Sequence, residues 1–343
     1  MYQNFITNLG IGQKGYRLFY SENKFKYFII SGKNTYYRSI EKKIKKTKNI
    51  KLGHLRINKN RNSLHYIKKK SLELSKKKID KIIVIGGGSV IDFSKRIFLN
   101  LKKKNKFIKL WVFPSTLGTG SEVSISSIIY NKIKKNILVN KNFLPETVIY
   151  DNEIIKSIKV ENKLLGLMDA CAHLLESKTT INSNYYLEFN NTMTLKFFFK
   201  KYSYLNIIRN KINFEDFSLI SFNGGLAQSN SGSGICHALA HSAEQLTGYQ
   251  HSKCISFFLL PVIKYFTKYE KELLNKFDSK SINTLKKILI YINKKYDFSK
   301  ITKYLNSNKI DELINLSLND PCWRLYKKNI DIKFLKKCLY EKT

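Results

Sequence analysis

Short apolar runs, rich in β-branched and aromatic residues, recur through the first half of the chain. They are YFII at 27–30, IIVI at 82–85, LWVF at 110–113 and ETVIY at 146–150. Runs of this length and composition predict buried strands. From Ile154 onward the apolar spacing becomes mostly helical, as in LLGLMDACAHLLE and FFLLPVIKYFTKY. The pattern therefore predicts an α/β domain over residues 1–153 and an all-helical domain over residues 154–343, two domains being the usual outcome at this length.

A glycine-bearing loop follows the second of these runs, in KIIVIGGGSVIDFSK at 81–95. Glycines let the backbone approach an anion without a Cβ in the way, and the free N–H groups of the next helix point toward it. The loop therefore predicts a pyrophosphate site, although it is not the usual dinucleotide GxGxxG and a tight connection is the alternative interpretation. The residues expected to bind the cofactor here are Gly86, Gly87, Gly88, Ser89 and, on the helix, Asp92.

A second small-residue loop follows the next run, in LWVFPSTLGTGSEVS at 110–124. It carries a set of hydroxyl side chains, namely Ser115, Thr116, Thr119 and Ser121. Two such loops, each after a strand, favour a nucleotide site over a plain connection.

Ligand-type side chains recur at helical spacing in the second half of the chain. Asp169 and His173 are four residues apart in MDACAHLLES and share a helix face, and His237 and His241 repeat that spacing. A glycine then ends the second helix, and His251 comes just past the turn. One carboxylate and three imidazoles suit zinc or ferrous iron with an open position, and the spacing alone leaves open whether His237 or His241 is a ligand.

The alternative for each histidine is that it is an ordinary buried core residue. The grouping favours the metal interpretation, because four of the six histidines of the chain fall in these two motifs. The remaining two, His54 and His65, lie in a lysine-rich stretch without ligand spacing.

These segments together resemble the iron-containing alcohol dehydrogenase family, in the superfamily that includes glycerol dehydrogenase and dehydroquinate synthase. GGGSVID is similar to the family's GGGSxxD, FPSTLGTGSEVS to its PTTxGTGSEVT, MDACAHLLES to its xDAxxHxxE helix, and CHALAHSAEQLTGYQH to its final histidine segment. The similarity runs from about residue 80 to residue 262. It implies an α/β N-terminal nucleotide-binding domain and an all-α C-terminal metal-binding domain.

The resemblance also implies roles for individual residues. The implied metal ligands are Asp169, His173, His237 and His251. His241 is implied to lie near the nicotinamide and substrate without binding the metal. The implied cofactor-contacting residues are Gly88, Ser89, Ser115, Thr116, Thr119, Ser126 and Lys135.

Some positions depart from the family pattern. The glycine expected after the last ligand is Ser252, and a cysteine, Cys236, precedes His237. In place of the family's Asn-Pro segment the chain has INKNRNSL, which contains no proline. The cofactor-contacting asparagine of that segment is therefore not assigned among Asn58, Asn60 and Asn62. After YFIIS the chain continues with Gly32 and Lys33 instead of an acidic residue, which predicts that NADP(H) is accepted and preferred to NAD(H).

The function predicted from the site and the resemblance is a metal-dependent, NAD(P)-linked alcohol dehydrogenase or aldehyde reductase that uses Fe²⁺ or Zn²⁺. The metal acts as a Lewis acid, and His241 is the candidate proton relay, with structural support of its helix as the alternative. A dehydroquinate synthase-like cyclase and a noncatalytic member of the family rank lower. The compact subgroup that includes phosphonoacetaldehyde reductases is a weaker resemblance and suggests a small anionic aldehyde.

The charge of the chain suggests another class of function. Lysine and arginine number 62 against 25 acidic residues, a net charge of +37, which invites a polyanion-binding or nucleic-acid-binding protein. The lysines are spread along the whole chain and arginine is scarce, so no specific nucleic-acid partner is expected. The expected partner is a small alcohol or aldehyde, and a homodimer is left open.

The expected location is the cytoplasm. The longest apolar run, CISFFLLPVI at 254–263, is far short of the roughly 20 residues that span a bilayer, so no membrane partner is expected. Five cysteines without a CxxC motif indicate a reducing compartment.

Overall fold

The computed structural model describes residues 8–12, 24–32, 37–45, 48–57, 63–131, 134–305 and 309–341. The chain forms two compact units, Met1–Ile158 and Lys159–Thr343. The division lies five residues beyond the one drawn from the sequence, because the short helix Asn152–Ser157 belongs to the first unit. The Asp151 side chain, directly after the last strand, caps this helix by accepting the N–H of Ile154.

Parallel strands form the centre of the first unit. Their bounds are β1 (Asn8–Ile11), β2 (Lys26–Ser31), β3 (Ile50–Arg56), β4 (Lys81–Gly86), β5 (Lys109–Pro114) and β8 (Thr147–Tyr150). Within the described residues they form one six-stranded sheet in the order β1-β8-β5-β4-β2-β3. A separate antiparallel pair is made by β6 (Ser126–Asn131) and β7 (Lys134–Val139).

Helices cover both faces of this sheet, as parallel strands require. The helices of the first unit are α1 (Tyr37–Lys45), α2 (Leu64–Ser75), α3 (Gly88–Lys102) and α4 (Asn152–Ser157), with 3₁₀ turns at Ser121–Val123 and Lys141–Phe143. Successive strand residues point to opposite faces, so Ile82 and Val84 join one buried cluster while Ile83 and Ile85 join the other. This explains why the strands read as continuous apolar runs.

The order of the strands reverses between β2 and β4. From β2 the chain moves outward to β3, and from β4 it moves the other way to β5 and β8. Parallel strands place their carboxyl ends at the same edge, and nucleotides bind at such a reversal in open α/β sheets. The glycine loop after β4 and the Gly32 position after β2 therefore share this edge.

In its described residues the second unit is helical, apart from one isolated bridge between Thr180 and Tyr326. Its helices are α5 (Val160–Glu176), α6 (Tyr185–Lys201), α7 (Tyr204–Ile208), α8 (Phe214–Ser231), α9 (Ile235–Thr247), α10 (His251–Tyr269), α11 (Lys271–Lys276), α12 (Ser279–Lys295), α13 (Ser299–Leu305), α14 (Ile310–Leu318), α15 (Pro321–Leu325) and α16 (Ile332–Tyr340). The predicted pairing of an α/β part with an all-helical part is confirmed.

Helix α5 is the core of the second unit. Each of its residues from Leu164 to Glu176 is buried, and it packs against α8 and α10. Close approach to α8 depends on Gly224, where a Cβ would lie 3.0 Å from the backbone of Ala170. Among the described residues, none of the helices has both the length and the apolar character that a membrane span needs.

Candidate metal centre and nucleotide loop

Three helices bring ligand-type side chains to one point in the second unit. Asp169 and His173 project from α5, His237 from the first turn of α9, and His251 is the first residue of α10. Gly248 lies between the last two helices with a φ of 68°, a left-handed conformation that suits glycine, and it ends α9 there. The turn predicted from the sequence therefore does bring His251 back toward Asp169.

The distances from Asp169 to three imidazoles lie in the range that separates two ligands of one metal ion. Its Oδ1 lies 3.9 Å from Nε2 of His173, 3.5 Å from Nε2 of His237 and 3.8 Å from Nε2 of His251. These separations are too long for good hydrogen bonds. Ligand atoms that each lie about 2.1 Å from one tetrahedral ion are themselves about 3.4 Å apart.

Buried polar atoms without partners support the same interpretation. Asp169 and His237 are almost fully buried, and within the described residues both Asp169 oxygens and Nε2 of His237 make no hydrogen bond. A buried polar group without a partner is costly, so a ligand for these atoms is expected. Three imidazole nitrogens and one carboxylate oxygen are a donor set that suits Zn²⁺ or Fe²⁺.

The charges of the cluster influence one another. Burial alone would raise the pKa of Asp169, but the facing His251 and His173 bring that pKa below its usual value. Burial alone would lower the pKa of His237, but the carboxylates of Asp169 and Glu176 outweigh burial and raise the pKa to about 9. The pocket thus favours a positive charge beside its carboxylates, which a divalent cation would supply.

Glu176 supports the centre from behind, and the sequence interpretation gave it no role. Its Oε2 lies 2.5 Å from Nδ1 of His237, so the Nε2 of that ring faces Asp169. The same carboxylate accepts the backbone N–H groups of Cys236 at 2.5 Å and His237 at 3.3 Å, and so caps α9. The N-cap residue of α9 is Gly234, which has no side chain to cap the helix. A Cβ at this position would lie 3.1 Å from the Glu176 side chain. The available signal was spacing, since Glu176 lies three residues after His173.

His241 lies beside the cluster and bonds elsewhere. Its Nδ1 is 2.9 Å from Oδ2 of Asp320, and its ring stacks on that of His251 with centroids 5.1 Å apart. The spacing left open whether His237 or His241 is the ligand. In the structure it is His237, and not His241, that faces Asp169. Asp320 was also missed from the sequence. Its only signal was an N-cap position directly before Pro321, at the start of α15.

The first glycine loop lies at the sheet reversal and is tightly packed. A Cβ on Gly86 would lie 2.6 Å from Cβ of Val90, and one on Gly87 would lie 2.8 Å from the Thr116 side chain. Gly87 is the N-cap of α3 and has no side chain to bond the free N–H groups of the first turn. These groups are the donors that an anion can accept from.

Two hydroxyls from the second loop adjoin the first. A Cβ on Gly88 would come 3.4 Å from Oγ1 of Thr119, and Thr116 touches the Gly87 position. Both threonine Oγ1 atoms are buried and, within the described part of the chain, make no hydrogen bond. The two loops are tied together by the N–H of Ser115, which donates to the carbonyl of Gly86 at 2.9 Å.

Three other residues predicted to bind the cofactor are bonded to protein groups. The Asp92 carboxylate, buried in α3, accepts the Ser121 hydroxyl at 2.5 Å and the N–H of Ile128 at 3.0 Å. The Ser126 hydroxyl pairs with that of Ser124 at 2.8 Å. These bonds attach the second loop and β6 to α3, so direct contact of these three residues with a cofactor stays a prediction.

The remaining predicted positions are placed as follows. Ser89 is exposed in the first turn of α3, and Gly32 follows β2 with its N–H donating to the carbonyl of Ile85 at 3.2 Å. Lys135 lies on β7, but its side chain is outside the described part of the structure. Lys33 and the three asparagines Asn58, Asn60 and Asn62 lie outside the described residues.

Comparison with known proteins gives the class. The family model described as iron-containing alcohol dehydrogenase matches residues 16–152. The 4-hydroxybutyrate dehydrogenase of Clostridium kluyveri is 28% identical over 219 residues, which cover 58% of this chain and 57% of that protein. The aligned part of the chain thus spans only about half the length of that curated relative.

Solved structures with the same fold cover nearly the whole chain. The alcohol dehydrogenase from Oenococcus oeni superposes with a TM-score of 0.82 at 18% identity, covering 100% of both chains. The sulfoacetaldehyde reductase from Bifidobacterium kashiwanohense, solved in complex with NAD⁺, gives a TM-score of 0.80 at 17% identity, covering 99% of this chain and 98% of the other. The family model and the curated relative confirm the resemblance to the iron-containing alcohol dehydrogenase family that was drawn from the motifs, and the solved structures show the same fold.

Proposed function

We propose that this protein is a metal-dependent, NAD(P)-linked alcohol dehydrogenase or aldehyde reductase. The observation that carries the proposal is the convergence of three imidazole Nε2 atoms on one buried Asp169 oxygen that has no hydrogen bond in the described structure. The match of residues 16–152 to the iron-containing alcohol dehydrogenase family model supports the reaction class. The ligands proposed for the metal are Asp169, His173, His237 and His251.

A divalent ion supplies a Lewis acid for a substrate oxygen, and a bound nicotinamide supplies or accepts hydride. Residues of the chain orient the proposed metal ligands. Glu176 fixes the ring of His237 through Nδ1, and Glu244 faces Nδ1 of His251 at 3.5 Å. Such outer carboxylates orient imidazole ligands and make them more basic.

His241 is the proposed proton relay. Because Nδ1 bonds Asp320, a proton relay through this ring would use its other nitrogen, Nε2. Its side chain is 14% exposed, so it is reachable from water, whereas the ring of His237 is enclosed. Support of α9 through the bond to Asp320 is the alternative role.

The test combines metal analysis with turnover. Purified protein, freed of metal and reloaded without air with Fe²⁺ or Zn²⁺, is assayed for oxidation of NADPH and NADH with a panel of aldehydes. We expect turnover that appears on loading and disappears with a chelator. Metal-independent turnover, or a fully loaded protein inactive on every aldehyde, would reject the proposal and favour the cyclase or a noncatalytic member.

For the cofactor, we propose that NADP(H) is accepted and preferred. Gly32 follows β2 at the sheet reversal, where an acidic residue would bond the ribose 2′-hydroxyl and repel a 2′-phosphate. The absence of a carboxylate at this position removes that repulsion. Comparison of kcat/KM for NADPH and NADH with one aldehyde decides the preference.

For the substrate, we propose a small anionic aldehyde such as phosphonoacetaldehyde. Two relatives are named for anionic compounds, namely 4-hydroxybutyrate and sulfoacetaldehyde, and the chain carries a net charge of +37 that attracts such substrates. The test compares kcat/KM for phosphonoacetaldehyde with that for an uncharged aldehyde of similar length. A preference of about tenfold, or ~1.4 kcal/mol, that shrinks with salt supports the proposal, and equal efficiency at low salt rejects it.

A further inference from the structure

A second group of ligand-type side chains lies outside the set around Asp169. His241, Asp320 and Cys322 each offer one ligand atom, and these atoms all lie within 4.8 Å of one another. The three residues come from two helices of the same unit, α9 and α15, with Asp320 at the N-cap of α15. The motifs noted in the sequence included only His241 of this group.

The group is held in place by the local backbone. Oδ1 of Asp320 accepts the N–H of Cys322 at 2.8 Å, and Pro321 between them restricts the chain. The other oxygen, Oδ2, lies 2.9 Å from Nδ1 of His241. The carboxylate and the thiol therefore belong to one fixed turn, and the imidazole faces it.

The exposure of the group differs from that of the first site. The side chains of His241 and Asp320 are 14% and 10% exposed, and Cys322 is half-buried. In the first site Asp169, His173 and His237 are almost fully buried, whereas the His251 side chain is 25% exposed. A metal ion from solution can thus reach the second group, and the partial exposure allows the small movement from 2.9 Å to the roughly 3.4 Å that separates two ligands of one zinc ion.

The donor types also differ. The first site offers nitrogen and oxygen, whereas the second adds a sulfur, and thiolate ligands favour zinc over harder ions. We propose that His241, Asp320 and Cys322 form a second, zinc-selective metal site with an open fourth position. On binding, the thiol of Cys322 releases its proton to solvent and the imidazole binds as the neutral form, so no oxidant or reductant is involved.

The proposed site has a regulatory consequence, which rests on the proposed function. Zinc bound there takes Nδ1 of His241 away from Asp320 and so removes the proposed proton relay. The ring of His241 stacks on that of His251, a ligand of the first site, so two cations in these sites repel each other. The exposed second site is therefore expected to fill after the first and to inhibit.

The test uses cobalt, which replaces zinc and reports the ligand type. A thiolate-to-cobalt charge-transfer band in the near ultraviolet requires a bound sulfur, and the four proposed ligands of the first site contain none. Metal-free full-length protein is titrated with Co²⁺, with absorbance and bound metal measured together. We expect two bound equivalents, one for each group, with the thiolate band growing only during the second.

Variants separate the two sites. Cys322→Ser and Cys322→Ala should lose the band and bind one equivalent, while the matched control Cys338→Ala keeps both, since Cys338 lies on α16 away from the group. Asp169→Asn should weaken the first equivalent and keep the band. Because the band needs no turnover, it tests this site even if the proposed reaction is wrong.

Other outcomes would overturn the proposal. A wild-type titration that saturates without a thiolate band excludes Cys322 as a ligand. A band that persists in both Cys322 variants assigns the sulfur to another cysteine. Inhibition by excess zinc that is equal in wild type and Cys322→Ser rejects the regulatory consequence alone.

Discussion

The nucleotide loop of the first unit and the metal centre of the second use opposite means to present polar atoms. In the loop, glycines have no side chains, so backbone N–H groups and two threonine hydroxyls are the polar groups that it presents. The sheet fixes the position of these groups. In the metal centre, long side chains from three helices converge, and carboxylates behind them set their orientation. The nucleotide loop therefore depends on residues that lack side chains, whereas the metal centre depends on side chains that are distant from one another in the sequence.

The largest expected effect comes from removing a ligand of the metal centre. His237→Ala should leave the protein without its bound metal and reduce turnover to background, because an open cavity replaces the imidazole that faces Asp169. NADPH binding should persist, since the glycine loop belongs to the other unit. Metal content by elemental analysis and binding by nucleotide fluorescence measure the two effects separately.

His65→Ala is the matched control, because His65 is exposed on α2. It should change neither metal content nor turnover. A His237→Ala protein that keeps a full metal equivalent and normal activity would contradict the ligand assignment.

Removing the charge behind the ligand should have a smaller effect. Glu176→Gln keeps the size of the side chain and an oxygen for the N–H of Cys236, but it takes the negative charge from Nδ1 of His237. The metal dissociation constant should rise about 10–100-fold, as for other changes behind metal-bound histidines. Competition with a chromophoric chelator measures it.

The control for this change is Glu272→Gln, at an exposed position on α11. It removes the same charge from the chain without touching the centre. If the two variants lose metal affinity equally, net charge is responsible and the positioning role of Glu176 is wrong.

The comparison also explains what the sequence could predict. The strand followed by Gly86 to Gly88 identified the loop, because a local backbone requirement leaves a local residue pattern. Asp169 and His173 were identified for the same reason, as helical spacing is local. The carboxylates of Glu176 and Asp320 escaped notice because their partners, His237 and His241, lie 61 and 79 residues away in the chain.

For Asp92 and Ser121, prediction from the sequence is limited for a different reason. Their side chains are part of a recognisable motif, so the sequence offers them as cofactor ligands, yet in the structure they bond each other. A motif shows that residues are required together, but not whether they face a ligand or the protein. Thr116 and Thr119, whose hydroxyls have no protein partner within the described residues, are the residues of this motif that we expect to face a ligand.

This contrast can be measured with two matched hydroxyl deletions. Ser121→Ala leaves a buried Asp92 oxygen without its bond and should lower the free energy of unfolding by about 1–3 kcal/mol. Thr116→Val removes a hydroxyl that has no hydrogen bond in the described structure, so it should leave stability nearly unchanged and weaken NADPH binding. In a Trp323→Phe background, the fluorescence of Trp111, buried in the sheet, reports unfolding of the first unit.

The reverse result would exchange the two roles. Loss of stability in Thr116→Val with normal NADPH binding would make that hydroxyl a packing element, and unchanged stability in Ser121→Ala would free Asp92 for the cofactor role first predicted for it.

The smallest expected effect is a change of cofactor preference at the sheet reversal. Among the described residues, a Cβ at Gly32 would meet only Cγ2 of Val90, at 3.4 Å, so Gly32→Asp can be accommodated without moving the described part of the loop. The new carboxylate can bond a ribose 2′-hydroxyl and repels a 2′-phosphate, so the ratio of kcat/KM for NADPH to that for NADH should fall about tenfold, or ~1.4 kcal/mol. Gly32→Asn, equal in size and uncharged, should change the ratio much less. Since repulsion between charges near the surface is screened, the effect of the aspartate should shrink with added salt. An equal ratio in all three proteins would mean that cofactor preference is determined elsewhere in the chain.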